Sequence, residues 1–193
     1  MKKYLIWIIL GILVLWLISS YNGLVNSRET VNKSWANVEA QYQRRSDLIP
    51  NLVSTVQGAA NFEKSTLVAV QEARSQATSI RIDPNNLTPE KLQEFQQAQA
   101  QVSGALGRLL AVAENYPQLK AIQNFQDLQA QLEGTENRIN EARRQYNESA
   151  QAYNTGRQRF PKVLIAGLFG FKERPYFESD KGADKAPKVE FPK

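Results

Sequence analysis

Apolar residues recur at intervals of three, four or seven along most of this chain, the spacing of helices that each bury one stripe. The first stripe runs through Leu24, Val31, Trp35, Val38, Tyr42, Ile49, Leu52, Val56, Ala60, Leu67, Val70, Ala77 and Ile80. A second runs through Leu92, Phe95, Gln99, Val102, Leu106, Leu109, Ala113 and Tyr116, and a third through Leu128, Leu132, Thr135, Ile139, Ala142, Tyr146, Ser149 and Tyr153. Such stripes must be buried against one another, so the pattern predicts an all-α protein with an elongated antiparallel bundle of three to four long helices.

Turn-forming and capping residues set the predicted helix boundaries. The turn formers of IRIDPNN end the first helix near residue 81. Thr88 is a predicted N-cap, with Pro89 at the first helical position of the second helix. The body at 26–174 is therefore expected to contain helices at about 26–81, 89–115 and 118–157 and a short apolar segment at 161–171. The polar residues 175–193 are expected to form a disordered tail.

The first residues carry a long uncharged run. Every residue from Tyr4 to Ser27 is uncharged, and Lys2 and Lys3 precede the run. A helix that spans a membrane needs about 20 such residues, so the run is long enough. A cleaved signal peptide has the same lysine-rich start, but no pair of small residues near ISSYNG has the spacing that signal peptidase requires. The sequence therefore favours an uncleaved transmembrane anchor at residues 1–25, in contact with membrane lipid.

A proline and two charges interrupt the first stripe. Pro50 removes one backbone hydrogen bond inside a helix, so we expect a kink or a break near it, with Asp47 available to cap a new first turn. Arg45 and Glu63 both fall at stripe positions, where an unpaired charge would be strongly destabilising.

The third helix offers partners for these charges. Glu136 is expected to pair with an arginine, and Arg138 with Glu63 or Asp47. The candidate polar seam consists of Arg44, Arg45, Asp47, Glu63, Glu136, Asn137 and Arg138. Two interpretations stay open: ion pairs that set the register of a long bundle, or a site for a ligand or a protein partner.

Composition removes most catalytic chemistry. The chain has no cysteine and no histidine, which excludes disulfides, thiolate nucleophiles, His-containing triads and nearly all zinc sites. Carboxylates such as Asp47, Glu63 and Glu136 could act as a general acid and base or hold a divalent ion, but di-metal bundles combine glutamate with histidine. We therefore expect no enzyme activity, no catalytic residue, no cofactor and no metal.

The net charge of +5 is unevenly distributed. Residues 26–156 hold 13 basic and 14 acidic residues, so no basic groove runs through the body and nucleic acid is not an expected partner. The basic excess lies instead around the apolar segment within 157–174. In this segment Leu164, Leu168, Phe169 and Phe171 form a candidate patch. The apolar segment has two interpretations: a short helix that caps the open end of the bundle, or an interfacial segment that binds lipid or a partner.

Three blocks carry a resemblance to a known family: YNGLVNSRETVNKSWANVEAQYQRRSDLIPNLVSTVQG, YPQLKAIQNFQDLQAQLEGTENRINEARRQYN and YNTGRQRFPKVLIAGLFGFKERPYF. In this order, between about Tyr21 and Phe177, they resemble the LemA family of bacterial membrane proteins. The resemblance implies a single-pass anchor and a helical bundle whose long first helix is bent or divided. Family members commonly carry a histidine where this chain has Phe62, before Glu63, so a metal or proton site built on that histidine is not expected here.

The resemblance implies associations rather than a reaction. The family has no agreed biochemical activity, its genes often neighbour those of membrane metalloproteases or TPM-domain proteins, and a divergent relative is associated with magnetosome membrane formation. Together with the bundle, this favours a non-enzymatic scaffold or adaptor for protein partners. The alternative is a membrane-shaping or lipid-binding protein that uses residues 157–174. Self-association through the anchor or the bundle stays open.

The expected location is the bacterial cytoplasmic membrane. Lys2 and Lys3 favour a cytoplasmic N-terminus, whereas Arg28 and Lys33 follow the apolar run and compete with them. Because the first residues have the features of a signal anchor, the sequence favours a body on the extracytoplasmic side.

Overall fold

The structure, a computed structural model, describes residues 2–58 and 63–178. The helices in this part of the chain are α1 (Lys2–Gln57), α2 (Lys64–Ser79), α3 (Pro89–Ala113), α4 (Pro117–Lys120), α5 (Gln123–Gln158) and α6 (Lys162–Leu168), with a 3-10 turn at Pro84–Asn86. As predicted, Thr88 caps α3, because its side chain accepts a hydrogen bond from the Lys91 N–H at 3.3 Å. The predicted all-α architecture is confirmed.

One continuous helix, α1, contains both the candidate anchor and the first helix of the bundle. Between Tyr4 and Ile18 its apolar side chains are largely exposed. This is the one helix in the described chain that is long and apolar enough to cross a membrane. From Leu24 onward the predicted stripe is buried, and it stays buried as far as Val56. The helix therefore changes from an apolar surface to an amphipathic one without a break.

Helices α2 and α5 run antiparallel to α1, α3 runs parallel to it, and the four helices form two apolar clusters. The distal cluster brings the end of α1 together with the start of α2, the end of α3 and the start of α5, through Val56, Leu67, Leu109 and Phe125. The anchor-proximal cluster combines Leu24 with residues near the end of α5, in α6 and in the C-terminal segment. The body is therefore an elongated bundle in which α1, α2, α3 and α5 alternate in direction.

Pro50 does not break α1. The helix continues to Gln57, and the chain resumes as α2 at Lys64, so the division of the first predicted helix lies beyond the proline. A proline leaves the carbonyl four residues earlier without its usual N–H partner. That carbonyl belongs to Ser46, and it accepts a hydrogen bond from Arg74 Nε on α2 at 2.9 Å. Arg74 thus satisfies the group that Pro50 leaves unpaired and joins α2 to α1.

Replacing Arg74 with methionine is expected to lower the free energy of unfolding by about 1.5 to 3 kcal/mol, because the Ser46 carbonyl loses a charged donor. In a Pro50→Ala background the backbone N–H of residue 50 can replace that donor, so Arg74→Met should cost much less. Denaturant titrations of the four proteins in mild detergent, followed by circular dichroism, give this double-mutant cycle. An equal cost in both backgrounds would show that Arg74 acts through a different contact.

Two further boundaries differ from the sequence prediction. The helix expected at 118–157 is divided, because Ile122 has extended backbone angles (φ −83°, ψ 115°) between α4 and α5. The expected tail does not begin at residue 175, since Phe177 is buried in the anchor-proximal cluster. The rest of the expected tail, residues 179–193, lies outside the described residues.

Candidate functional site

Arg45 lies between the two apolar clusters and is only 2% exposed. Its Nη1 donates to Ser103 Oγ at 2.7 Å and to Glu136 Oε2 at 2.9 Å. Its Nη2 donates to the Gln99 backbone oxygen at 3.1 Å and to Gln99 Oε1 at 2.6 Å. The guanidinium carbon also lies 5.1 Å from the centroid of the Tyr42 ring. One buried cation therefore joins α1 to α3 and α5.

We call Arg45, Gln99, Ser103 and Glu136 the polar layer. Apolar residues of α1 precede it up to Tyr42 and follow it from Ile49, so the layer separates the two clusters. The Glu136 side chain is 45% exposed and keeps contact with water, which lowers the desolvation cost of the ion pair. A buried cation with several fixed acceptors is satisfied in one alignment of the helices, so the layer favours a single register.

The other residues of the predicted seam lie on the surface: Arg44, Asp47, Glu63, Asn137 and Arg138. Asp47 Oδ1 accepts a hydrogen bond from Gln43 Nε2 at 2.7 Å within α1. The inward position predicted for Glu63 is wrong, because the chain leaves the helix before α2 and Glu63 becomes its exposed N-cap residue. Among the described residues no ion pair joins Arg138 to Glu63 or Asp47.

The acidic residues do not gather into a metal site within the described chain, where no group of three or more metal-ligating side chains is found. Asp47, Glu63 and Glu136 each have a separate partner: Gln43, Thr66 and Arg45. Of these three contacts, only the pair of Glu136 with Arg45 joins two helices.

A cleft of about 520 Å³ lies beside the polar layer, between α1, α2 and α3. Its lining combines the charged side chains of Glu39, Arg74 and Arg81 with apolar residues such as Phe95. Gln43 is exposed at its α1 side and Arg81 beyond the end of α2. The cleft is therefore an open surface of mixed polarity on one side of the bundle.

Residues 171–178 follow α6 as a segment with neither helix nor strand, whose packing the sequence pattern did not predict, and we call them the C-terminal strap. Asn154 on α5 pairs with the backbone of Arg174: its Nδ2 donates to the Arg174 oxygen at 2.8 Å, and its Oδ1 accepts from the Arg174 N–H at 2.9 Å. Asn147 pairs in the same way with Phe177, at 3.0 and 2.9 Å. Two side-chain amides thus satisfy backbone groups that no helix or sheet pairs.

Two tyrosines of α5 complete the attachment of the strap. Tyr153 donates its hydroxyl to the Lys172 oxygen at 2.9 Å, and Tyr146 donates to the Pro175 oxygen at 3.0 Å. Burial raises the pKa of both Tyr146 and Tyr153, which keeps the hydroxyls protonated as donors. The signal in the sequence is the Tyr-Asn pair that repeats after seven residues in YNESAQAYN.

The strap also inserts side chains into the bundle. The Phe177 ring stacks on Trp35, with ring centroids 5.9 Å apart. The guanidinium carbon of Arg143, a residue of α5, lies 5.1 Å from the centroid of the Phe177 ring. Arg174 is 4% exposed and donates to the Pro84 oxygen and to Asn32 Oδ1. Burial lowers the pKa of Arg174 from its ordinary value. The strap therefore closes the anchor-proximal half of the bundle.

The predicted patch is divided by a turn at the end of α6. Gly170 has a positive φ of 68°, and the Phe171 N–H donates to the Ala166 oxygen at 2.9 Å, as in a Schellman motif. This turn directs Phe171 into the anchor-proximal cluster, so its assignment to an exposed patch is wrong. Leu164, Leu168 and Phe169 remain exposed.

An exposed apolar helix joined to an amphipathic bundle defines a membrane-associated helical protein. The model of the LemA family matches residues 34–191, and the chain belongs to that family. It is also similar to the magnetosome proteins MamQ 2 and MamQ 1 of Paramagnetospirillum magneticum, each 27% identical over 185 residues, with 87% of this chain and 68% of the relative covered. Magnetosome protein MamQ of Magnetospirillum gryphiswaldense is 26% identical with the same coverage.

Proposed function

We propose that the chain is a non-enzymatic scaffold or adaptor that presents its bundle to protein partners at the bacterial cytoplasmic membrane. The continuity of α1 carries this proposal, since Lys2–Gln57 is one helix that holds both the candidate anchor and a full edge of the bundle. From Gly23 to Gln57 the helix rises roughly 50 Å at about 1.5 Å per residue. Within this helix no flexible linker separates the lipid from the bundle, so a bound partner is held at a defined distance from the membrane.

The cleft beside the polar layer is the surface that best fits a partner. It exposes Gln43 and Arg81 next to apolar lining residues, which allows hydrogen bonds and charge to surround an apolar contact. The polar layer itself has a structural role in this proposal, because the Arg45 guanidinium is already occupied by α3 and α5. A second copy of the chain is a candidate partner, as are the membrane proteases and TPM-domain proteins associated with the family.

The relatives support a role at membranes, since all three are named as magnetosome proteins. We place the bundle on the extracytoplasmic side, on the basis of the signal-anchor features of the first residues. Lys2 and Lys3 precede the apolar run and favour a cytoplasmic N-terminus.

The chain contains no cysteine, so a single introduced cysteine provides one thiol in this protein for labelling. Gln43→Cys places it at the cleft, and Gln151→Cys places it on the exposed face of α5 as a matched control. A membrane-impermeant maleimide with a photoreactive group is applied to intact cells. Both sites should react, but photolysis should capture a discrete partner from Gln43→Cys alone, and Arg81→Glu should reduce that capture.

The labelling step tests the side of the membrane on which the bundle lies, and the capture step tests the cleft as a binding site. Reaction only after cell lysis would place the bundle on the cytoplasmic side. Capture of the same abundant proteins from both positions would contradict a partner-binding cleft and the scaffold role that depends on it.

A further inference from the structure

The four most exposed of the large apolar side chains in and beside α6 form what we call the α6 surface. Phe160 and Leu168 are each 80% exposed, Leu164 is 65% exposed and Phe169 is 59% exposed. The opposite face of the same helix is buried, since Ile165 and Ala166 pack into the anchor-proximal cluster. The segment therefore already covers the bundle with one face and leaves a second apolar face without cover. Grouped exposed apolar residues of this kind mark an interaction surface.

The position of α6 along α1 indicates what covers this face. Phe169 contacts Tyr21, with ring centroids 5.0 Å apart, and the Lys162 ammonium lies beside Gly23. About 20 helical residues cross the hydrocarbon core, so a span that starts at Tyr4 ends near Gly23. Contacts with Tyr21 and Gly23 therefore place α6 at the depth where hydrocarbon meets the headgroups.

The charges around the α6 surface fit the headgroup region. Arg159 and Lys172 are exposed on either side of it, and Lys162 is half-buried. The neighbouring carboxylate of Glu173 is paired with Arg157 at 3.0 Å, so it offsets little of this positive charge. Basic residues beside exposed apolar side chains are typical of segments that lie in the interface of an anionic membrane.

We propose that the α6 surface binds the leaflet from which α1 emerges, with Leu164, Leu168 and Phe169 among the acyl chains and the flanking basic residues at anionic phosphates. This goes beyond the scaffold role, because it needs no protein partner. It gives the bundle a second attachment beside the anchor and limits its tilt. The alignment of the α6 surface with the end of the apolar run is the observation that selects lipid over a protein.

The experiment uses the full chain in vesicles of phosphatidylcholine and phosphatidylglycerol. Leu168→Cys carries a polarity-sensitive fluorophore, and Val68→Cys, at a 44% exposed residue near the distal end, carries the same label as the control. Lipids with a spin label just below the headgroup should quench the Leu168→Cys fluorophore and shift its emission to shorter wavelength. The Val68→Cys fluorophore should show neither effect.

Two further variants identify the cause. Leu164→Ser with Phe169→Ser should abolish quenching of the Leu168→Cys label while circular dichroism stays unchanged, since both side chains are exposed. Arg159→Glu with Lys172→Glu should reduce quenching in the mixed vesicles and leave it unchanged in phosphatidylcholine alone. A Leu168→Cys label that emits and resists quenching like the distal control would overturn the proposal. Protection of that label in cell membranes but not in vesicles would also overturn it, because a protein would then cover the surface.

Discussion

Replacing Arg45 with alanine is expected to lower the free energy of unfolding by about 3 to 5 kcal/mol, because a large buried side chain and the hydrogen bonds of its guanidinium are lost together. The substitution empties the centre of the bundle between its two apolar clusters. It also leaves the Gln99 side-chain oxygen, Ser103 and Glu136 without their common donor. Denaturant titration of the full chain in mild detergent, followed by circular dichroism, measures this loss.

The adjacent arginine provides the matched control. Arg44 carries the same side chain on the same helix but is exposed, so Arg44→Ala should change the free energy of unfolding by no more than about 0.5 kcal/mol. Glu136→Gln keeps a hydrogen-bond acceptor for Arg45 and should fall between the two. Equal effects of Arg44→Ala and Arg45→Ala would contradict a structural role for the polar layer.

The apolar stripes were sufficient to predict a helical bundle and most of its core, but not the points at which its helices are divided. Trp35, Leu109 and Ile139 are buried at the positions that the three-four spacing assigned to them. The same spacing placed Arg45 at a stripe position, and Glu136 was expected to pair with an arginine; in the structure Arg45 is buried and its partner is Glu136. The stripes identify buried positions because side-chain direction in a helix depends on position, so a periodic pattern specifies which face is buried.

Predictions that depended on contacts between distant segments were less successful. Pro50 is accommodated by Arg74, 24 positions later on another helix, and no local pattern announces that hydrogen bond. Glu63 would occupy a stripe position only if the first helix continued through it, but α1 ends at Gln57. Residues 175–178 of the strap were assigned to the disordered tail because the C-terminal sequence is polar and contains proline, whereas in the structure side chains of α5 hold them.

Replacing Asn154 with leucine is expected to lower the free energy of unfolding by about 2 to 6 kcal/mol, because two buried backbone groups each lose a partner at about 1 to 3 kcal/mol. The groups are the N–H and the carbonyl of Arg174, and leucine has the same branched arrangement of side-chain atoms but neither donor nor acceptor. The loss should be concentrated at the strap, so amide hydrogen exchange should accelerate across residues 171–178 before the rest of the bundle opens.

Asparagines at the same helical phase provide controls for this substitution. Asn140, Asn147 and Asn154 are spaced by seven residues on α5, but Asn140 is exposed and makes no pair with the strap, so Asn140→Leu should be nearly neutral. Asn154→Asp retains an acceptor for the Arg174 N–H. It loses the donor to the Arg174 carbonyl and places a charged carboxylate oxygen opposite that carbonyl. It should therefore also release the strap. Unchanged exchange in Asn154→Leu would show that Phe177 and Arg174 hold the segment through their side chains, and that the asparagine pairing is dispensable.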